Sequence, residues 1–512
     1  MRIIGTLLSA LRPSLPEQRP AGKVLAGRKV VQVFRPTADH LSSVSPLLAT
    51  YAGIRNSRVI LSLYRLPTGE AAELAINDLP TEWLVGRAEF DGAKILDNAF
   101  QDLRLTTIPQ AAGRSFALVL ESPDATADNA VTVWLHSGAA RRMTGHVACF
   151  VGGKHQGEYG MMAELGYSPP LADGPVPPGL LLSPVTQCNL NCIHCISREM
   201  RASVARLDDR VREPIREWSR RGWLRGVETD YSGDILWADH RFGGELDFII
   251  GLDVPFHVNT NGAHLSQDTC ERLLKSKLRS INVSLDAATD ATYRRIRRGA
   301  PPLDEVLDNL RRLAGARGER RQPTLLLGFT LMRSNLEELL PFIRLAADLG
   351  FDVVQCRHLE AYTADMEAES LWFDQARYAE AWGMAVALAA ELGIGLEIQG
   401  PFDAVPARAG RASCPEPWRS AVVLGNGDVM ACCIPGTRIG NLHETSMEDL
   451  WNGPGYQAFR LAVNSADPPT ACRTCPIYRD PRDADSYLPH RARRVSSTPA
   501  TPPGSDPGDV FP

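Results

Sequence analysis

The 512-residue chain has no excess of either charge. Its 55 lysines and arginines stand against 60 acids, 55 − 60 = −5, so no global basic field points to a nucleic-acid partner. No apolar run approaches the roughly 20 residues a membrane span needs, and no transmembrane segment is expected. Arg2 followed by Ile3 to Leu11 imitates a short signal sequence, but no A-x-A cleavage site follows, and a short amphipathic helix is the reading taken. No repeat of fixed period marks a solenoid or propeller. Hydrophobic residues at 44% and charged residues at 22% are ordinary for a globular protein. At about 150 residues per domain, the length suggests about three domains.

Cysteine is what the chain does have. Eleven are present, at 149, 188, 192, 195, 270, 356, 414, 432, 433, 472 and 475, and they are clustered. An odd, clustered set in a chain this long reads as metal ligation rather than a disulfide framework. Free thiols of that kind suit a reducing compartment, and a cytoplasmic location is expected.

The texture changes along the chain. Residues 1–28 read as a leader with Pro13, Pro16 and Pro20. Residues 29–165 alternate with period two at Val59/Leu61/Leu63, Phe116/Leu118/Leu120 and Val131/Val133/Leu135. Turns at Pro67-Thr68-Gly69, Gly113 and Ser122-Pro123-Asp124 separate these runs, the pattern of a β-sandwich. A Pro/Gly linker covers 166–179. From 180 to 400, short apolar runs (Leu180–Val185, Gly226–Tyr231, Phe256–Asn259, Ser280–Leu285, Thr324–Thr330 and Val353–Cys356) alternate with helical stretches such as Leu336–Leu349. That order gives repeated βα units on a parallel sheet. The expected fold class is α/β: a partial (β/α)6 barrel, an N-terminal β-sandwich of jelly-roll type, and a small cysteine-containing domain at 401–480. The tail 481–512 is rich in Pro, Ser, Asp and Arg and is expected to be disordered.

Cys188, Cys192 and Cys195 form a C-x3-C-x2-C loop directly after the first apolar strand. Three thiolates on one loop can hold three irons of a [4Fe–4S] cluster and leave the fourth iron open. The alternative is zinc, with His194 as a fourth ligand in a closed tetrahedral site. On a strand-to-helix loop that opens a run of βα units, the spacing resembles the signature of the radical S-adenosylmethionine (SAM) superfamily, over roughly 180–400. That family usually has an aromatic residue where His194 stands.

The resemblance implies further site residues. Ser232-Gly233-Asp234, at the end of the second strand, takes the place of the family's Gly-Gly-Glu motif. Only 14 residues separate the literal Gly243-Gly244-Glu245 from Thr260, too few for a helix, a loop and a whole strand, so that triplet reads as a turn. Asn261, in a T-N-G element, and Ser284 with Asp286, in an S-x-D element, are implied to contact SAM. The helix Tyr293 to Gly299 carries four arginines, of which one would reach the SAM carboxylate; Arg298 is the one named. Asn335 fits either a site pattern with Arg333 or a helix N-cap.

Cys414, Gly427, Cys432, Cys472 and Cys475 stand in the order C-x12-G-x4-C … C-x2-C. This is similar to the shortened SPASM region called a twitch domain and implies one [4Fe–4S] auxiliary cluster on Cys414, Cys432, Cys472 and Cys475. A structural zinc site is the alternative, and Cys433 could replace Cys432. Gly425-Asn426-Gly427-Asp428 signals a type I′ hairpin. Cys356 and His358 fall at the C-terminal end of the sixth strand, where βα-barrel chemistry sits. Cys356 is the candidate hydrogen-atom donor and His358 a possible general base.

The resemblance implies reductive cleavage of SAM to a 5′-deoxyadenosyl radical, with an external electron donor such as flavodoxin or ferredoxin. Twitch proteins include a dehydrogenase of an aminocyclitol alcohol. Loose likeness of residues 116–135 to modules of glycan enzymes tilts the expected substrate to a sugar, glycan or related small molecule, oxidised by loss of two hydrogens. The other readings are epimerisation with Cys356 as donor, peptide modification, and a non-catalytic zinc scaffold.

Overall fold

The computed structural model describes residues 18–53, 55–67, 79–137, 145–196, 205–229, 232–403, 408–409, 414–475 and 482–491. The leader through residue 17, Thr68-Gly69, Tyr231 and the tail beyond 491 lie outside the described residues. The chain divides into two compact units: Met1–Asp173 with Val405–Trp418 and Asp449–Pro469, and Gly174–Ala404 with Arg419–Glu448 and Thr470–Pro512.

The first unit is built on two sheets. One orders Lys154–His155, His146–Val151, Val30–Phe34, Phe116–Glu121, Arg58–Arg65 and Leu84–Asp91; the other centres on Leu41–Ala49 and Thr132–Ser137. The alternating runs supply the core: Leu61, Leu63, Phe116, Leu118, Leu120 and Val133 are all wholly buried, and Phe34 stacks on Phe116 at 5.9 Å. Two boundaries move. Gln18–Pro20 already pairs antiparallel with Thr132–Ser137, and Val24 is buried, so the sandwich starts before residue 29. Ala21 and Val24 donate to the carbonyls of Val133 and Val131, which satisfies backbone that a free leader would leave to water.

Residues 401–480 do not form one domain. The helix Pro454–Val463 belongs to the first unit because it carries Arg460, wholly buried, whose Nε donates to Pro417 O and Nη1 to Pro170 O and Asn452 Oδ1. Its guanidinium lies 4.4 Å over the Trp451 ring and 4.8 Å over Tyr456. A buried cation without a carboxylate is tolerable where carbonyls and π faces replace water.

The second unit is one open sheet. Its strands are β1 (Gly179–Leu182), β2 (Gly226–Thr229), β3 (Phe256–Thr260), β4 (Leu278–Ser284), β5 (Thr324–Leu331), β6 (Val353–His358), β7 (Gly395–Glu397), β8 (Ser420–Val423), β9 (Asp428–Met430) and β10 (Arg438–Asn441), in the order β7-β6-β5-β4-β3-β2-β1-β8-β9-β10. β1 to β7 are parallel to their neighbours, and β8 adds a parallel partner to β1. A parallel sheet puts the carboxyl ends of β1 to β6 along one edge, and that edge carries the site. The short β7 is a seventh parallel strand that the six-unit pattern lacked.

β8 and β9 do form a hairpin, but not with a type I′ turn. Only Gly427 has a left-handed φ, at 83°, while Gly427 N donates to Leu424 O and Leu424 N to Asp428 O. Asn426-Gly427 therefore sits one place later than a two-residue loop requires, giving a three-residue loop with a glycine bulge. Residues 482–491 also depart from the expected disordered tail. Tyr487 and Leu488 are buried, and Tyr487 O accepts from Ala361 N just after β6. Among the described residues, no helix is long and apolar enough to cross a membrane.

Candidate active site

The loop after β1 carries Cys188, Cys192 and Cys195, and the ends of β2, β3 and β4 close around it. The resulting cavity, of about 270 Å³, is lined by all three cysteines with His194, Ser232, Gly233, Asp234, Asn259, Thr260, Asn261, Ser284 and Arg297. Among the described residues, no three His, Cys, Asp or Glu side chains already converge as a metal cage; the thiols ring the cavity wall instead. None of the eleven cysteines forms a disulfide.

Each neighbour of the thiol loop is tied to it by backbone demand. Asn191 N donates to Arg298 O at 2.7 Å and Ile193 N to Ile296 O at 3.0 Å, zipping the loop to the end of a helix at Asp290–Ile296. Asp234 N donates to Gln187 O. A Cβ on Gly233 would stand 2.3 Å from Val185 O and 2.9 Å from Gln187 O, so only glycine lets this turn lie against the strand exit. Asn261 Nδ2 donates to Asn189 Oδ1 at 2.9 Å and approaches the Cys188 sulfur at 3.7 Å.

Asp234 is spent on the protein. Oδ1 accepts from Leu236 N and Trp237 N, capping the helix α1 (Ile235–Phe242); Oδ2 accepts from Thr260 Oγ1 at 3.0 Å and Asn261 N at 2.8 Å. A carboxylate offers about four lone-pair sites, and all four are used. Asp234 therefore braces the turn that holds Asn261, rather than offering lone pairs to a ligand ammonium. The buried Ser232 hydroxyl, also on the cavity, has no partner among the described residues and is open to a ligand.

Asp286 also departs from its expected place. It is buried, does not line the cavity, and adopts φ 65°, a strain of roughly 1–3 kcal/mol for a non-glycine residue. Its carboxylate meets Arg297 Nη2 at 2.6 Å, His194 Nε2 at 3.4 Å and Thr330 N at 2.7 Å. Burial alone would raise this carboxyl, but the Arg297 guanidinium and His194 outweigh it and hold it below the usual range. Burial depresses His194, against the pull of the Asp286 carboxylate. Arg297 is the residue that reading the arginine-rich helix missed. Four arginines in five positions give no sequence signal for the inward one, and Arg298 offers its carbonyl to the loop.

Asn335 is wholly buried and is not a side-chain cap; its amide bridges Asp286 O, Thr330 O and Met332 N. Glu245 begins α2 (Glu245–Gly251) and is wholly buried between Arg206, at 2.5 Å, and Arg212, at 2.6 Å. Cys356 and His358 alternate inward as expected, but neither lines the cavity. Cys356 is wholly buried and burial pushes its thiol up to about 12. His358 is enclosed by Tyr378, Phe402 and Tyr487 at 4.5, 4.7 and 5.4 Å. The structure thus gives neither one the access expected of a hydrogen donor or base.

A model of the radical SAM superfamily matches residues 182–346, and a model of SPASM, an iron–sulfur cluster-binding domain, matches residues 414–476. The chain carries a radical SAM domain and a SPASM domain. Its cofactors are therefore SAM, a [4Fe–4S] cluster and the iron–sulfur chemistry of the SPASM region. No curated protein matches the chain. Similar solved structures include SuiB of Streptococcus suis bound to S-adenosylmethionine, at 15% identity over 56% of this chain and 68% of that one, TM-score 0.44. Others are anSMEcpe with bound AdoMet (15% identity, 60% and 92% covered, TM-score 0.45) and BtrN in complex with AdoMet and 2-DOIA (16%, 55% and 85%, TM-score 0.29).

Four of the five cysteines of the SPASM region stand in two settings. Cys432, Cys433 and Cys475 pack with Ile434 and Ala471. The adjacent Cys432 thiol, then burial, pushes the Cys433 thiol well up. Cys414 is buried and bracketed by one side chain: its N–H donates to Asn464 Oδ1 at 2.8 Å and its carbonyl accepts from Asn464 Nδ2 at 3.1 Å.

Proposed function

We propose that this radical SAM enzyme oxidises a sugar, glycan or related small molecule by removing two hydrogens. The observation that carries the reading is a set of four cysteines, Cys414, Cys432, Cys472 and Cys475, within the region that the SPASM model matches. When bound, SAM and the loop cluster supply a 5′-deoxyadenosyl radical that removes a substrate hydrogen atom, and a SPASM cluster supplies an acceptor for the second electron.

The chain's own residues would bind and enclose. Cys188, Cys192 and Cys195 would hold the loop cluster, and Ser232, Asn261 and Ser284 present polar groups to SAM on the cavity wall. Leu190 and Ile196 add apolar lining that keeps water from a reactive intermediate. Arg297 supplies the cavity's only lining guanidinium among the described residues. An external donor of the flavodoxin or ferredoxin class and a cytoplasmic setting complete the proposal.

Anaerobic incubation of reduced enzyme with SAM and a panel of saccharides and peptides tests it by product mass. A product lighter by two hydrogens is expected from a saccharide. A product of unchanged mass carrying one solvent deuterium would replace oxidation with epimerisation, and turnover of peptides alone would replace the substrate class.

The Cys414 bracket gives a second expectation. Asn464→Ala removes one hydrogen bond from each of the buried N–H and C=O of Cys414, about 0.5–1.5 kcal/mol each. The variant is expected to lose iron from the SPASM region, falling from about eight towards about four irons per chain, while the loop cluster keeps its EPR signal. Full iron content in the variant would show that Asn464 does not position Cys414 as a ligand.

A further inference from the structure

Arg297 is almost wholly buried at 4% exposure and reaches two partners of opposite kind. Its Nη1 lies 3.9 Å from the Cys192 sulfur, and its Nη2 lies 2.6 Å from Asp286 Oδ2. Nε donates to Leu285 O at 3.2 Å, so the guanidinium plane is held from three sides. The two backbone bonds from Asn191 and Ile193 to Arg298 and Ile296 flank Arg297 on either side and set Cys192 in register with it. Asp286 is in turn fixed by Thr330 N and by the Asn335 bridge to its carbonyl.

A cation beside a cluster ligand, with an N–H aimed at the sulfur, favours the more negative, reduced state and raises the reduction potential. The facing carboxylate offsets that charge, the more so because both groups are buried where screening is weak. The arrangement gives Cys192 a directed donor with little net charge. Neither partner is an exposed surface ion whose loss water would mask.

We infer that the buried Arg297–Asp286 pair sets the reduction potential of the loop cluster, with Arg297 acting through the Cys192 sulfur and Asp286 acting through Arg297. Both are positioning residues here. The inference rests on the reading that Cys188, Cys192 and Cys195 hold that cluster.

The test is an EPR-monitored redox titration of the full-length, doubly loaded enzyme without SAM, with the SPASM signal as internal reference. Arg297→Gln should make the loop cluster harder to reduce, by at least tenfold in the reduced-to-oxidised ratio at fixed poise, which for one electron is 59 mV. Asp286→Asn keeps a side chain of the same shape but leaves the cation uncompensated, and should move the ratio the other way. Arg297→Lys should stay nearer wild type than Arg297→Gln.

A loop cluster present in Arg297→Gln with wild-type potential would overturn the inference. If that variant fails to hold the cluster, Asp286→Asn decides: an unmoved potential overturns the inference and a raised one supports it. Wild-type enzyme with no iron on the loop would instead overturn the underlying cluster assignment, which separates the two failures.

Discussion

Cys192→Ala is expected to abolish reductive cleavage of SAM, with 5′-deoxyadenosine falling below detection while the SPASM region keeps its iron. The loop supplies three thiolates and no more, and the only other cavity-lining side chain able to ligate from the loop, His194, is turned towards Asp286 at 3.4 Å. A two-thiolate loop cannot retain three irons of a cubane. Cys192 is also the thiol that Arg297 addresses, so the mutation leaves a buried guanidinium facing a methyl group. Iron should fall by about half, to about four per chain. Continued 5′-deoxyadenosine production in the purified variant would refute the assignment of this loop. A colourless wild-type protein holding zinc in place of iron would do the same more broadly.

The second large effect separates two acids that look alike in the sequence. Asp234→Ala removes the acceptor for Leu236 N, Trp237 N and Asn261 N at one stroke. Each stranded donor costs about 1–3 kcal/mol where it stays dry, and the start of α1 and the turn at Asn261 both border the cavity. SAM affinity is expected to fall more than tenfold and thermal stability to drop as well.

Glu245→Ala should strand Arg212, whose side chain is 11% exposed, and cost about 3–5 kcal/mol of stability. Glu245 does not line the cavity, so SAM affinity of the folded fraction should stay at wild type. Calorimetric SAM titration beside thermal unfolding checks both. Unchanged SAM affinity in Asp234→Ala, or its loss in folded Glu245→Ala, would reverse the ranking.

The sequence by itself determined the elements whose signal is local. Period-two alternation in Val59 to Leu63 and Phe116 to Leu120 marks strands because side chains on a pleat alternate faces, and those residues are the sandwich core. Repeated βα texture marks a parallel sheet, and the spacing of the three loop cysteines, on a loop that opens that run, marks them for metal ligation. Ser232-Gly233-Asp234 was legible by position, since a strand's carboxyl end in such a sheet faces the site.

Only the tertiary structure decided what depends on partners distant in the chain. Residues 401–480 divide between two units because Arg460 and Asn464 bond to residues 417, 170, 414 and 104, hundreds of positions away in part, and no local pattern records that. Asp234 and Asp286 read as ligand contacts, yet their carboxylates are consumed by backbone donors and by Arg297, because a buried acid takes whichever donors the fold brings to it. Arg297 could not be told from Arg294, Arg295 and Arg298 by type or spacing. Its inward direction is fixed by the turn at Asp286 and the zipped cysteine loop, both products of packing between separate βα units.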